Sequence, residues 1–120
     1  MSTRDFSKPS KTQLLEQLEK IAVQMQSAGL WADEPPPERA FQSTAPFCFD
    51  TMNFEQWLQW VFLPRMKHLL HTGQMPPAGC SIAPLAEHQF TEYQTDTTAL
   101  LVEITRFDQM ALDYFGIEPE

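Results

Sequence analysis

Apolar residues recur at helical spacing near the start of the chain. Ser10 and Gln13 stand in the order of a capping box, in which each side chain bonds the backbone N–H of the other residue. Gly29 is typical of the position just after a helix end. The pattern therefore predicts a first helix from about residue 11 to 28, with one apolar face formed by Leu14, Leu18, Ile21, Ala22 and Met25.

Residues 31–50 interrupt this periodicity with three consecutive prolines, Pro35 to Pro37. Proline lacks a backbone N–H and cannot continue a helix, so the segment is predicted to be an extended strap with room for one turn at residues 38–42. Structureless loops of this length are uncommon in compact domains. We therefore expect the strap to be pinned to the core by its own aromatic side chains, Phe41, Phe47 and Phe49.

A second helical pattern begins near Thr51 or Asn53 and runs to about His71, just before Gly73. Pro64 lies inside this pattern. Because a proline removes one backbone donor and crowds the preceding turn, we expect a kink or a break in the second helix.

Two more helices follow. A short one is predicted to begin at residues 81–84, and a long one is predicted to be capped at residues 95–96 and to end near residue 115, before Gly116. No strand signal of comparable strength is present. The sequence therefore predicts an all-α fold, an antiparallel four-helix bundle with a long Pro-rich crossover between helices one and two. Residues 1–120 form one domain, with residues 1–9 expected to be flexible.

Charge and composition narrow the range of functions. The formal net charge is −8, and a chain this acidic is a poor direct binder of nucleic acid. The chain has two cysteines, too few for a disulfide framework. No apolar stretch is long enough to cross a bilayer, and no export signal is evident, so we expect a cytoplasmic protein without membrane contact.

The centre of the chain carries a specific run, Phe54-Glu-Gln-Trp57-Leu58-Gln-Trp60-Val-Phe62-Leu-Pro64-Arg65-Met66, followed by Gly73-Gln-Met-Pro-Pro77 and Ile82-Ala-Pro-Leu-Ala-Glu87. This pattern resembles the YqcC-like family of small bacterial proteins. The resemblance implies a four-helix bundle in the cytosol without an established activity. The family has been labelled by association with a tRNA pseudouridine synthase. Such synthases use a catalytic Asp in a much larger mixed-sheet fold, and nothing in this sequence matches that context.

One charge falls on each of two apolar helix faces. On a helical wheel, Arg65 lies among the apolar residues of helix two that include Trp57, and Glu103 lies on the apolar face of helix four. An unpaired buried charge is costly, so the structural interpretation is an internal ion pair between Arg65 and Glu103, or with Asp96 or Glu87. The functional alternative is that Arg65 binds a small anionic ligand in an aromatic pocket, in a ligand binder or a cryptic enzyme.

The opposite face of helix two is also partly apolar, because Trp60 and Leu63 interrupt its polar stripe. One interpretation is a central helix that is covered on all sides. The other is an exposed patch for a partner, either another protein or a second copy of the chain. The hypothetical binding residues are therefore Trp57, Trp60, Leu63, Arg65 and Glu103.

No catalytic or cofactor motif is recognisable. A zinc site can be drawn from His68, His71, Cys80 and His88, but no Cys-x-x-Cys pair supports it, so we expect no metal and no cofactor. The chain has only four glycines and lacks every glycine-rich phosphate motif. We expect a non-enzymatic protein-interaction module, linked to tRNA pseudouridine modification through an unidentified partner.

Overall fold

A computed structural model describes residues 9–45, 50–74 and 81–115, and every regular element in this part of the chain is helical. Helix α1 spans Lys11–Ser27. Its predicted capping box is present. The Gln13 backbone N–H donates to the Ser10 hydroxyl at 3.1 Å, and the Ser10 backbone N–H donates to the side-chain Oε1 of Gln13 at 2.7 Å. Gly29 follows the C-cap residue Ala28 and adopts a left-handed φ of 76°, which terminates the helix.

The strap is held by hydrogen bonds rather than by Phe41. Gln59, which is 6% exposed, accepts from the Ala32 backbone N–H at 2.9 Å and donates to the Ala32 carbonyl at 2.8 Å. A second anchor is the Thr51 hydroxyl, which donates to the carbonyl of the buried Ala40 at 2.7 Å. Phe41 is 38% exposed, so the expectation that it pins the strap is wrong.

Phe47 and Phe49, the other two predicted anchors, lie outside the described residues. The predicted single turn is present as a 3₁₀ helix, Glu38–Gln42.

The second predicted helix consists of three consecutive segments. They are helix α2, Phe54–Trp57, a π-helical segment, Leu58–Phe62, and helix α3, Leu63–Thr72. We call this run the composite helix. It does not break at Pro64, because Phe62 and Leu63 keep right-handed helical backbone angles. The irregularity expected from the proline appears as the π turn just before it, where the Leu63 N–H donates to the Leu58 carbonyl five residues back.

The last two helices begin where the sequence predicts. Helix α4 spans Ala83–Phe90 and carries Pro84 in its first turn, where a missing N–H leaves no hydrogen bond unmade. Helix α5 spans Thr98–Phe115, and the Asp96 carboxylate accepts from the Thr98 N–H at 3.0 Å. Gly116, the predicted stop, lies outside the described residues.

All these elements contribute to one apolar core. Among its largest fully buried side chains are Leu14, Leu18, Ile21, Met25, Leu58, Leu70, Leu100, Ile104 and Phe107. Burying each such side chain contributes about 1.5–3 kcal/mol, so this cluster dominates the folding free energy. No described helix is both long enough and apolar enough to cross a membrane.

Candidate functional site

A cleft of about 680 Å³ lies at the C-terminal end of α1. Three chain segments form it: the end of α1 with the residues just after it, the start of the composite helix, and α4 with the connection to α5. Its apolar lining side chains include Leu30, Met52, Phe54 and Leu85, and its polar ones are Asn53, Glu55, Gln89, Tyr93, Gln94 and Thr95. This volume and this mixture fit a ligand-binding cleft.

Glu55 and Tyr93 form the one directly bonded pair of titratable side chains in the cleft lining. The Tyr93 hydroxyl donates a hydrogen bond to Oε1 of Glu55, and both side chains are partly buried. Burial, together with the hydrogen bond and the negative charge of Glu55, raises the pKa of Tyr93 above its ordinary value. The phenol therefore stays protonated at neutral pH and holds the carboxylate in one orientation.

Aromatic packing fixes this pair from behind. The ring of Phe90 meets the ring of Tyr93 edge-on, with centroids 5.2 Å apart, and it meets the ring of Phe54 in the same manner at 5.6 Å. Phe54 and Phe90 are both buried. Edge-to-face contacts of this kind favour one relative orientation of the rings, so the cleft wall is preorganised by the core.

The residues proposed from the sequence do not form one site. Trp57 is 7% exposed and Leu63 is 3% exposed, so both belong to the core. Trp60 is partly buried, and its indole Nε1 is enclosed without a hydrogen-bond partner among the described residues. Trp60 as a partner contact stays a prediction.

The predicted ion pair between Arg65 and Glu103 is absent. Arg65 is exposed and pairs with no described residue, whereas Glu103 accepts a hydrogen bond from the Gln17 amide at 2.7 Å and lies 3.6 Å from Arg106. The π turn is the physical reason. A π segment takes up more residues per turn than an α-helix, so positions beyond Leu58–Phe62 are rotated from the wheel that placed Arg65 inside. A second, more open groove lies along α5 and is lined by Thr98, Leu101, Val102, Thr105, Arg106 and Gln109. An anionic ligand on Arg65 also stays a prediction, although Arg65 lines neither the cleft nor this α5 groove.

Comparison with known proteins decides the family. A family model described as "DUF446: tRNA pseudouridine synthase C" matches residues 13–110. The chain belongs to the DUF446 family.

Relatives of similar length carry no stated activity. A protein from Haemophilus influenzae named only as uncharacterised is 37% identical over 100 residues, which cover 83% of this chain and 93% of that protein. The uncharacterised protein YqcC from Escherichia coli is 32% identical over 81% of this chain and 89% of its own length. The solution NMR structure of YqcC matches with a TM-score of 0.76 at 30% identity, over 92% of this chain and 94% of that one. The resemblance to YqcC-like proteins is thus confirmed.

A third relative has a different length and name. A protein from Pectobacterium carotovorum named tRNA pseudouridine synthase C is 48% identical over 60 residues. Those residues are 50% of this chain but only 16% of that protein. The larger part of that relative therefore has no aligned counterpart in this DUF446 chain.

Two other groups bear on chemistry. Asp108, a buried carboxylate on α5, accepts from the Ala83 N–H at 2.7 Å through Oδ2 and so caps α4. Burial raises the pKa of Asp108, and the backbone N–H groups of Ala83 and Ile82 lower it by a smaller amount.

Within the described ranges, no group of three or more His, Cys, Asp or Glu side chains could hold a metal ion. Cys80, a member of the hypothetical zinc set, lies outside those ranges.

Sequence reasoning missed the cleft in this DUF446 fold. Glu55 belongs to the run Phe54–Met66, but Tyr93 lies 38 positions further on and outside every quoted motif, so nothing in the sequence joins the two residues. The sequence signal most relevant to the cleft was the cap at Asn53. It fixes where the composite helix begins and therefore which residues of that helix line the cleft.

Proposed function

We propose that this protein is a non-enzymatic interaction module of the bacterial cytoplasm that binds a tRNA pseudouridine synthase through the cleft. The observation that carries the proposal is the composition of the cleft. Its lining combines apolar side chains with neutral amides, and its one carboxylate, Glu55, is bonded to Tyr93. Such a surface can recognise a partner by shape and hydrogen bonding.

The position of the buried aspartate argues against catalysis by this chain. Of the described aspartates, Asp108 is the one that is buried, and its Oδ2 atom is occupied by the Ala83 N–H. Asp108 is not among the lining residues of the cleft. A carboxylate that caps a helix inside the core has a structural role. The uncharacterised relatives give no positive indication of an activity either.

The choice of partner rests on the comparisons. The family description names tRNA pseudouridine synthase C, and the Pectobacterium relative with that name contains a segment similar to half of this chain. Placing two modules in one polypeptide holds them at high effective concentration, which benefits modules that act together. In the Pectobacterium relative, a segment similar to this chain belongs to the same polypeptide as the rest of the synthase. We infer that the DUF446 chain, as a separate protein, binds such a synthase.

The packing supports an antiparallel bundle in which the cleft is one open end. The Thr95 hydroxyl donates to the Ala28 carbonyl at 2.9 Å, whereas Gln17 meets Glu103, so α1 and α5 are aligned in opposite directions. Lys67 lies 3.2 Å from Glu19, in the middle of α1, and Gln59 bonds Ala32, beyond the C-terminal end of α1. The composite helix and α1 therefore also run in opposite directions.

The proposal is tested with purified components. The chain is titrated into the tRNA pseudouridine synthase of the same genome by isothermal titration calorimetry, and we expect a complex with a Kd of about 10 µM or tighter. Leu85→Ser in the cleft should weaken the complex at least about tenfold, since it removes an apolar contact of about 1.5 kcal/mol or more. Val23→Ala is the matched control, because Val23 is 51% exposed on α1 and lines neither groove.

One further variant, Trp60→Ala, decides which surface is used. If Trp60→Ala abolishes the complex and Leu85→Ser leaves it intact, the contact lies on the composite helix and the cleft assignment is wrong. If no complex forms at about 100 µM of each protein, the proposed function is wrong. Sedimentation velocity of the chain alone reports self-association, and incubation of the chain alone with unmodified tRNA should yield no pseudouridine.

A further inference from the structure

The chain segments around the cleft carry acidic residues but no lysine or arginine. The three stretches that supply its lining, 26–32, 50–57 and 83–97, together contain five acids, Asp50, Glu55, Glu87, Glu92 and Asp96. The base nearest to a lining residue in sequence is His88, which is exposed and does not line the cleft. Because Glu55 lines the cleft and these stretches carry no lysine or arginine, we expect the cleft to attract cations and to repel phosphates and carboxylates.

The lining adds shape and hydrogen-bonding requirements to that charge. Leu30, Phe54 and Leu85 offer apolar contact, and the side-chain amides of Gln89 and Gln94 both donate and accept hydrogen bonds, as a peptide backbone requires of its partner. A volume of about 680 Å³ accommodates a few side chains of an extended segment. An inorganic cation would leave the apolar wall without a contact.

Glu55 provides a fixed anionic anchor. The hydrogen bond from Tyr93 orients the carboxylate, and an ionised carboxylate can accept about four hydrogen bonds in all. Because Glu55 is partly buried, an ammonium or guanidinium group that reaches it is screened less by water than at an exposed site.

From this charge complementarity we propose that the cleft binds an extended polypeptide segment of a partner protein in which an apolar side chain is adjacent to lysine or arginine. This inference rests on the proposed function for the idea of a protein partner, but it does not depend on which protein the partner is. Proteins that bind RNA expose such basic segments, so a tRNA-modifying enzyme meets the requirement.

The test uses matched synthetic peptides and the full chain. The probes are acetyl-Gly-Leu-Lys-Leu-Lys-Gly-amide and two versions in which both lysines are replaced by glutamine or by glutamate. In ¹⁵N–¹H correlation spectra, the lysine peptide should shift the amide signals of Leu30, Phe54, Gln89 and Gln94. The glutamine peptide should bind at least about fivefold more weakly, and the glutamate peptide should not bind. Equal binding of all three peptides would overturn the proposal.

Charge changes on the protein provide the second arm. Gln89→Lys should weaken binding of the lysine peptide at least about fivefold, whereas Gln89→Glu should strengthen that binding. Glu55→Gln should weaken binding of the lysine peptide about five- to tenfold. Glu16→Gln, the same change at an exposed site on α1, should alter this binding less than about twofold. If Gln89→Lys and Gln89→Glu have the same effect, the charge argument fails.

The two proposals fail separately. Binding of the lysine peptide in the cleft without binding of the synthase removes the proposed partner and leaves the cleft specificity intact. Binding of the synthase that is insensitive to Gln89→Lys and Glu55→Gln removes the cleft specificity and leaves the partner intact.

Discussion

The bond pair between Gln59 and the Ala32 backbone gives the sharpest stability prediction. Gln59 is 6% exposed and makes two hydrogen bonds to one residue, at 2.9 Å and 2.8 Å. In Gln59→Leu the side chain keeps its approximate volume but loses both bonds, which leaves the Ala32 N–H and C=O without their partner. A typical hydrogen bond contributes about 0.5–1.5 kcal/mol net, so we expect a loss of about 1–3 kcal/mol in the free energy of unfolding.

Urea denaturation followed by circular dichroism measures this loss. With an m-value of about 1–3 kcal/mol/M, the midpoint should fall by roughly 1 M while the slope stays unchanged. The control is Gln26→Leu, the same substitution at an exposed position of α1, which should change stability by less than about 0.5 kcal/mol. If Gln59→Leu and Gln26→Leu shift the midpoint equally, the bond pair does not hold the strap.

Gln59→Glu separates hydrogen bonding from packing. At neutral pH the carboxylate keeps an acceptor for the Ala32 N–H but faces the Ala32 carbonyl without a proton to donate, so stability should fall at least as far as in Gln59→Leu. Protonation restores the donor, so the folded-state pKa of this glutamate should be raised. The deficit relative to the wild type should therefore shrink as the pH falls through that raised value. A deficit that is independent of pH between about 7 and 4 would refute the role of the donor.

The remaining predictions concern single groups. The pKa of Asp108 is raised from its ordinary value of 3.8, so its stabilising contribution is complete below that value and is lost as the pH rises through the folded-state pKa. Urea titrations should therefore show that the stability of Asp108→Asn increases relative to that of the wild type between about pH 3 and pH 7. Asp108→Ala, which leaves the Ala83 N–H without an acceptor, should cost about 1–3 kcal/mol at pH 7. The raised pKa of Tyr93 predicts that absorbance titration of the two tyrosines shows one phenol ionising well above pH 10, and that Tyr93→Phe removes this late phase. Gly73 has a φ of 76° and open space where a Cβ would stand, so thermal or urea unfolding of Gly73→Ala should show a purely conformational loss of about 1 kcal/mol.

Local signals predicted the helices well because each is encoded within a few residues. The capping box at Ser10, the cap at Asp96 and the proline in the first turn of α4 are all present where the sequence placed them. Long-range pairing was not predictable in this way. The Arg65 placement failed because one π turn rotates everything beyond it, and the partners of Gln59 and Glu55 depend on contacts between segments that are 27 and 38 positions apart.

The π turn, the strap and the cleft form one causal sequence. Pro64 has no N–H to offer the Trp60 carbonyl, and the composite helix adopts the π segment Leu58–Phe62 just before it. Gln59 lies inside that segment and points into the protein, where it bonds Ala32. Ala32 is two residues beyond Leu30, which lines the cleft, so the same bond pair fixes one wall of the binding surface. Loss of the Gln59 bonds should therefore weaken peptide binding as well as stability, although Gln59 itself does not line the cleft.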